Sequence, residues 1–276
     1  MPTWIALFVA AGAAFGSSPD PKELLRLSAQ ANWRTAERAR EYTFLERFEE
    51  RELDKRGAVK KVEVKTFEVL FLDGSRYQRL VARDDQPLPL AEDRKQQEKL
   101  DKEFAKRSRE DDRARAKRRA KDDKRRREMQ EFASEVAEAF DLRIEGEGTI
   151  DGRDVWIVAG TPRQGYRPPN LRAKILPKVN GRIWIEKAGY HWVKLEAEVI
   201  DTVSFGLFLF RLLPGAHIEV EQRFVNGEVW LPREVRVGGT ARLGLVKKMH
   251  NEAIITFDRY RKFQTDTRIL SVDETQ

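Results

Sequence analysis

The chain has 276 residues, 40% of them apolar, which excludes a fully disordered protein and is enough for one large domain or two small ones. It contains no cysteine, which excludes disulfides and thiolate metal sites. The net charge is +7, and residues 91–128 hold nearly all of the excess, with 17 Lys and Arg against 11 Asp and Glu.

The amino terminus has the pattern of an export signal. An apolar stretch from Trp4 to Phe15 ends in Ala14-Phe15-Gly16, a small-x-small sequence before Ser17. We therefore expect a cleaved signal peptide at residues 1–16 and a soluble periplasmic domain at residues 17–276. An uncleaved short anchor is the alternative, although the apolar stretch is shorter than the roughly 20 residues of a membrane-spanning helix.

A helix and a strand meander follow the signal. Residues 21–39 place Leu24, Leu25 and Ala31 on one helical side, with Asp20 in position to cap the helix. Residues 42–55, 58–72 and 76–83 then alternate as strands do, and Gly74 lies in a hairpin signal between the last two.

Residues 90–140 are predicted to be a charged helical insertion, either one long helix or a helical pair. No Gly or Pro occurs from residue 91 to residue 145, and the residue types favour a helix throughout. Leu100 and Phe104 are followed only by Ala until Met129, so the middle of the segment has nothing apolar to bury. We expect a solvated arm whose two ends dock on the body.

The basic centre of this arm has two interpretations. It can be a patch for anionic phospholipid headgroups, or a solvated helical face, which is what charge runs usually are. Nucleic acid is disfavoured by the export signal and by the absence of interleaved aromatic residues. The candidate membrane patch comprises Arg113, Arg115, Lys117, Arg118, Arg119, Lys121, Arg125, Arg126 and Arg127.

The second half of the chain consists mainly of predicted strands. They cover residues 142–147, 155–161, 182–186, 191–200, 218–224, 229–237, 241–249 and 252–263, with a short helix near residues 171–176. The apolar residues 205–213 are expected to form a lid or a membrane-contacting segment outside the sheet, because Gly206 and Pro214 interrupt strand continuity. The fold class is therefore α+β: a large curved antiparallel sheet of about ten or eleven strands, an open half-barrel, with lidding helices.

The order of elements resembles the LolA/LolB-like periplasmic lipoprotein carriers, and more closely the outer-membrane lipoprotein-sorting proteins. The matching segments are Tyr42-Thr43-Phe44, residues 181–185 leading into residues 193–196, and the late strand at residues 257–263. The resemblance implies an unclosed antiparallel barrel with helices lidding an apolar cavity, and the transport of lipoprotein acyl chains. The long basic insertion departs from that family and leaves the cargo open.

Two functions from different classes follow. The first is a non-catalytic lipid or lipoprotein carrier or sensor that holds an acyl chain in an apolar cavity. The alternative is a structural or regulatory envelope module with a filled core, whose charged arm docks a protein partner. The candidate cavity or lid residues are Phe44, Phe67, Phe71, Trp156, Trp184, Val193, Leu195, Phe205, Phe208, Phe210 and Trp230. An unfilled cavity beneath the helices would distinguish the two functions.

We expect no enzyme, cofactor or metal. The three histidines, His191, His217 and His250, lie on different predicted strands without the spacing of metal ligands. No nucleophile elbow, phosphate-binding loop or dinucleotide fingerprint occurs in the sequence.

Overall fold

The computed structural model describes residues 19–72, 74–205, 210–243 and 247–263. The predicted signal peptide and Phe208 lie outside these ranges. None of the described helices is long and apolar enough to cross a membrane.

The described residues form three α-helices, one 3-10 helix and thirteen strands. The helices are α1 (Pro21–Ala39), α2 (Leu90–Ser108) and α3 (Asp112–Ala139), and the 3-10 helix is Ala173–Lys178. The strands are β1 (Tyr42–Leu53), β2 (Val59–Leu72), β3 (Ser75–Arg83), β4 (Gln86–Pro87), β5 (Phe140–Ile150), β6 (Arg153–Pro162), β7 (Val179–Glu186), β8 (Trp192–Val199), β9 (Val203–Phe205), β10 (Phe210–Leu212), β11 (His217–Val225), β12 (Val229–Leu243) and β13 (Lys247–Lys262).

All the strands belong to one antiparallel sheet. Its order is β4-β3-β2-β1-β13-β12-β11-β8-β7-β6-β5, and the short strands β10 and β9 branch from β12. Among the described residues the edge strands β4 and β5 do not pair with each other, so the sheet stays open. The predicted α+β open half-barrel, one large antiparallel sheet with covering helices, is confirmed. The sheet has more strands than the predicted ten or eleven because β4, β9 and β10, which have only two or three residues each, were not predicted.

The sequence predicted three strands at residues 229–237, 241–249 and 252–263, whereas the structure has two in this region. Residues 241–249 do not form a strand of their own, because β12 runs on to Leu243 and β13 begins at Lys247. Gly239 pairs with Asn251 in the middle of this ladder and has φ +143. A Cβ at Gly239 would lie 2.5 Å from Ala216, so a close backbone approach explains the glycine there rather than a turn.

The register divides the sheet into two chemically different faces. The inner face carries Val158, Ile183 and Leu195, which lie opposite one another on β6, β7 and β8. α1 covers part of it, because the buried Leu24 packs against Val158 and Ile185. This alternation follows from the two-residue period of a strand with one covered face.

The outer face carries cross-strand ion pairs. Arg182 Nε lies 2.7 Å from Glu145, and Lys194 Nζ lies 3.5 Å from Glu221. Ion pairs as exposed as these contribute at most about 1 kcal/mol each to the free energy of unfolding. Their main effect is to make the outer face hydrophilic.

The charged insertion is helical, as predicted, and of the two expected forms it adopts the helical pair. α2 packs on the outer side of β2 and β3, where Leu100 is buried against Leu70, Leu72 and Tyr77. Arg107 Nη1 also donates to the Leu72 carbonyl at 2.5 Å. The Asp111 side chain then accepts from the Ala114 amide and caps α3.

α3 extends from the β2–β3 turn to the opposite edge of the sheet. Near its start Arg118 Nη1 donates to Ser75 Oγ at 3.1 Å, and near its end Phe132 and Val136 pack against Phe140 at the start of β5. Its 28 residues correspond to a length of about 42 Å. The arm therefore begins at one edge of the open sheet and ends at the other.

We expect Leu100→Ala to lower the free energy of unfolding by about 2–4 kcal/mol, because it removes a side chain that is only 7% exposed. Phe104→Ala is the matched control on the same helix, since Phe104 is 50% exposed, and it should cost less than about 1 kcal/mol. Urea unfolding followed by circular dichroism measures both. Equal losses would show that α2 does not dock through Leu100.

Candidate functional site

A cavity of about 460 Å³ lies between the inner face of the sheet and the helices above it. Phe132 and Val136 of α3, with Ile175 and Leu176 of the 3-10 helix, form its roof. Its floor is the inner face of β6, β7, β8 and β11. The helices therefore cover the sheet here without filling the space beneath them.

Small residues in three neighbouring strands create this space. Gly160 lies opposite Gly181, and Gly181 lies opposite Ala197, so they form one row across β6, β7 and β8. A Cβ at Gly181 would meet only the Glu196 carbonyl oxygen, at 3.7 Å, which is an ordinary contact. The floor is therefore low at Gly181, whereas the side chains of Phe140 and Leu142 lie close over Gly160, 3.2 Å from where a Cβ would stand.

The lining is apolar and opens on one side. Leu25, Leu142, Val158, Ile183, Leu195, Val199 and Leu212 complete the walls. The same cross-strand row continues beyond Ala197 with the larger side chains Ile218 on β11 and Val237 on β12, which are 37% and 41% exposed. Exposed apolar side chains directly beside a cavity mark its mouth.

Polar contacts hold the roof in place. The Tyr166 hydroxyl donates to Glu135 Oε2 on α3 at 2.8 Å, and Arg172 Nη2 lies 2.6 Å from Glu128 Oε2. Burial and the Glu135 carboxylate raise the pKa of Tyr166 to about 12, so its hydroxyl stays a donor at neutral pH. The end of α3 is thereby tied to the loop before the 3-10 helix.

Of the predicted ligand-binding residues, Leu195 lines the cavity. Trp184, Val193 and Trp230 instead belong to a separate cluster around the fully buried Val155. The Arg153 guanidinium lies over this cluster, 5.5 Å from the Trp230 ring.

The other predicted aromatic residues also pack elsewhere. Trp156 stacks on Tyr190 with 5.8 Å between the ring centroids, and Phe44 lies 5.1 Å from Tyr260. Phe67 and Phe71 are half-buried in β2.

The apolar segment after β8 joins the sheet in part. Phe210 pairs with Phe205 of β9, and Leu212 pairs with Ala241 of β12. The prediction of a segment outside the sheet is therefore wrong for Phe205, Phe210 and Leu212, because β10 gains β9 and β12 as backbone partners on its two sides.

The cavity residues that the sequence reasoning missed are small residues and residues at helix ends. Gly160 and Ala197 stand at alternating positions of predicted strands, and Gly181 directly precedes another predicted strand; this placement was the available signal. Phe132 and Val136 are four residues apart in the predicted helical insertion, which places them on one helical side, but this spacing does not indicate what that side covers.

Some residues of the predicted basic patch pair with nearby carboxylates, and others are exposed to solvent. Arg118 Nη2 lies 3.0 Å from Glu110 Oε2, and Arg115 Nη1 lies 3.2 Å from Asp112. The exposed members are Arg113, Lys117, Arg119, Lys121, Arg125 and Arg127. Within the described ranges, no group of three or more His, Cys, Asp or Glu could hold a metal ion.

No protein-family model and no curated protein matches the chain. Among solved structures, it is similar to an outer membrane lipoprotein-sorting protein domain from Vibrio parahaemolyticus, with a TM-score of 0.37 and 10% identity over 91% of this chain and 96% of that one. A DUF1329 family protein from Desulfovibrio piger gives 0.33 and 11% over 90% and 96%. A LolA superfamily protein from Nitrosomonas europaea gives 0.28 and 8% over 90% and 95%.

One histidine, His191, is half-buried near α1. His191 follows the turn after β7, beside the buried Glu186 carboxylate. Burial lowers the pKa of His191, while Glu186 and the backbone of Ala31 oppose that shift. Because the folded-state pKa lies below the unfolded value, the unfolded chain binds more protons once the pH falls through about 6.5. The stability linked to His191 is therefore present above that pH and is lost below it.

We expect His191→Gln to reduce the loss of stability between about pH 7.5 and about pH 5.5, because the substituted side chain does not titrate. His217→Gln, at an exposed position, should keep the wild-type pH dependence. The measurement is the urea midpoint at both pH values. If the wild type and His191→Gln lose the same stability over this interval, His191 is not the group responsible.

Proposed function

We propose that this protein is a non-catalytic carrier or sensor that holds the acyl chain of a lipid or lipoprotein in the cavity under α3. The observation that carries the proposal is the unfilled apolar space between the row Gly160, Gly181 and Ala197 and the helical roof. The periplasm, reached after cleavage of residues 1–16, is the proposed location.

The size and chemistry of the cavity suit an apolar chain. Its volume of about 460 Å³ falls within the roughly 300–1,000 Å³ of small-molecule sites. Arg182 and Glu196 contribute to the floor, but their side chains pair with each other on the outer face at 3.5 Å. An ionised ligand group inside would lose its hydrogen bonds to water at a large cost in free energy, whereas an alkyl chain has no such hydrogen bonds to lose and is stabilised by leaving water.

The shape also favours a linear ligand. The row of small residues crosses three strands that are spaced about 4.8 Å apart, and it continues toward the mouth at Ile218 and Val237. A groove perpendicular to the strands accommodates an extended chain whose polar end stays in water at the mouth.

The alternative function, an envelope interaction module, requires a hollow filled by the protein's own side chains. The described residues leave that hollow unfilled, so the cavity favours the carrier or sensor.

The first test asks whether the protein carries a lipid. Protein purified from its native compartment should contain an extractable acyl lipid by native mass spectrometry, and the delipidated protein should bind a fluorescent fatty-acid probe. Apo protein alone, together with no probe binding, would refute the proposal.

A second test narrows the cavity. Gly181→Leu should weaken probe binding by at least about tenfold, equivalent to about 1.4 kcal/mol, because the new side chain projects into the cavity without a clash. Gly148→Leu is the matched control: a Cβ there would lie 3.8 Å from Val155 and Ile157, away from the cavity lining. Thermal unfolding verifies that both variants fold. Unchanged probe affinity in a folded Gly181→Leu protein would place the ligand elsewhere.

A further inference from the structure

α2 carries a row of lysines that the predicted basic patch did not include. Lys95, Lys99, Lys102 and Lys106 are separated by steps of four, three and four residues, which return to nearly the same side of a helix. All four are exposed, and the side chain of Lys106 is 74% exposed. The row is about 17 Å long at 1.5 Å per residue.

This lysine row faces away from the sheet. Leu100, the buried contact of α2, lies about 140° around the helix from Lys95 at 100° per residue. α2 packs on the outer face of β2 and β3, whereas the cavity lies under the inner face. The lysine row is therefore a surface separate from the proposed acyl site.

Arginines of β3 neutralise acidic residues at the start of α2. Arg83 lies 2.8 Å from Glu92, and Arg79 lies 3.0 Å from Asp93. These carboxylates are held toward the body of the protein and compensate the lysines little. Glu98 stands beside the row.

The row ends close to one further acidic residue. Glu103 lies 4.0 Å from Lys106 but accepts a closer hydrogen bond from Arg107 Nε, at 2.8 Å. The arginine contact holds this carboxylate on the body side of α2, so the row keeps an excess of positive charge.

We propose that the lysine row binds the surface of an anionic phospholipid bilayer. Lysine is a flexible point charge that suits mobile headgroup phosphates, and it is depleted from protein–protein interfaces, where Trp, Tyr and Arg dominate. The row has no aromatic side chain on which a nucleic-acid base could stack. Attraction of this kind falls off over a Debye length of about 8–10 Å, so it is sensitive to salt.

The test replaces the charges and keeps the fold. The quadruple variant Lys95→Gln, Lys99→Gln, Lys102→Gln and Lys106→Gln should bind phosphatidylglycerol-containing vesicles at least about tenfold more weakly at low salt. The matched control, Lys55→Gln, Lys60→Gln, Lys174→Gln and Lys248→Gln, removes four exposed lysines outside α2 and should change binding by less than about twofold. Co-sedimentation measures binding, and thermal unfolding verifies the fold of both.

A single substitution tests the same surface in the opposite direction. Glu98→Gln removes the carboxylate beside the row and should strengthen vesicle binding. Equal weakening by the two quadruple variants would overturn the proposal, because net charge alone would then explain the effect. So would failure of the wild type to bind anionic vesicles, whether or not it binds DNA. Gly181→Leu should bind vesicles as the wild type does, which separates this result from the test of the cavity.

Discussion

The alternation of apolar and charged side chains across one open antiparallel sheet is the constraint on which the rest of the structure depends. The outer face is exposed to water and carries charged side chains, which form cross-strand ion pairs such as Arg182–Glu145. The inner face cannot do so, because Val158, Ile183 and Leu195 gain free energy only when something removes them from water. Since the edges of the sheet do not meet, helices must supply that cover.

The helices cover the inner face incompletely, because small residues lie in the sheet beneath the end of α3. α1 packs directly on the inner face through Leu24, but the end of α3 rests above a row in which Gly160 and Gly181 have no side chain. The contact between Tyr166 and Glu135 holds α3 over that row. A closed apolar void of this size would be costly, because its walls lose dispersion contacts. This cavity opens at its mouth, so an apolar ligand can enter and restore those contacts.

The two sides of α2 have different surroundings, although both belong to the same charged segment. On the body side of α2, Leu100 is buried and Arg107 donates to a backbone carbonyl of the β2–β3 turn, which fixes the helix on the sheet. On the opposite side the described residues present the four exposed lysines, with Glu98 beside them. Composition describes both sides alike as charged helix, and the contacts distinguish a side that docks from a side that is free to meet another surface.

The sequence by itself determined the fold class and most of the helices and strands. The two-residue alternation identified the long strands, the long stretch without Gly or Pro identified the arm, and residues 21–39 matched α1. Those signals are local, because strand and helix periods depend on neighbours within a few positions. The small residues that form the cavity floor were visible in the sequence, but their alignment in one row depends on how β6, β7 and β8 pair.

Only the tertiary structure decided which apolar residues line the cavity and where the last hairpin turns. A strand pattern shows that alternate residues share a face, but it does not show what covers that face. Trp184 and Trp230 therefore pack in the cluster around Val155, while Leu195 lies in the cavity. Likewise, Gly239 reads as a break until its contact with Ala216 is seen. Contacts between residues distant in the chain set these outcomes, and no local period encodes them.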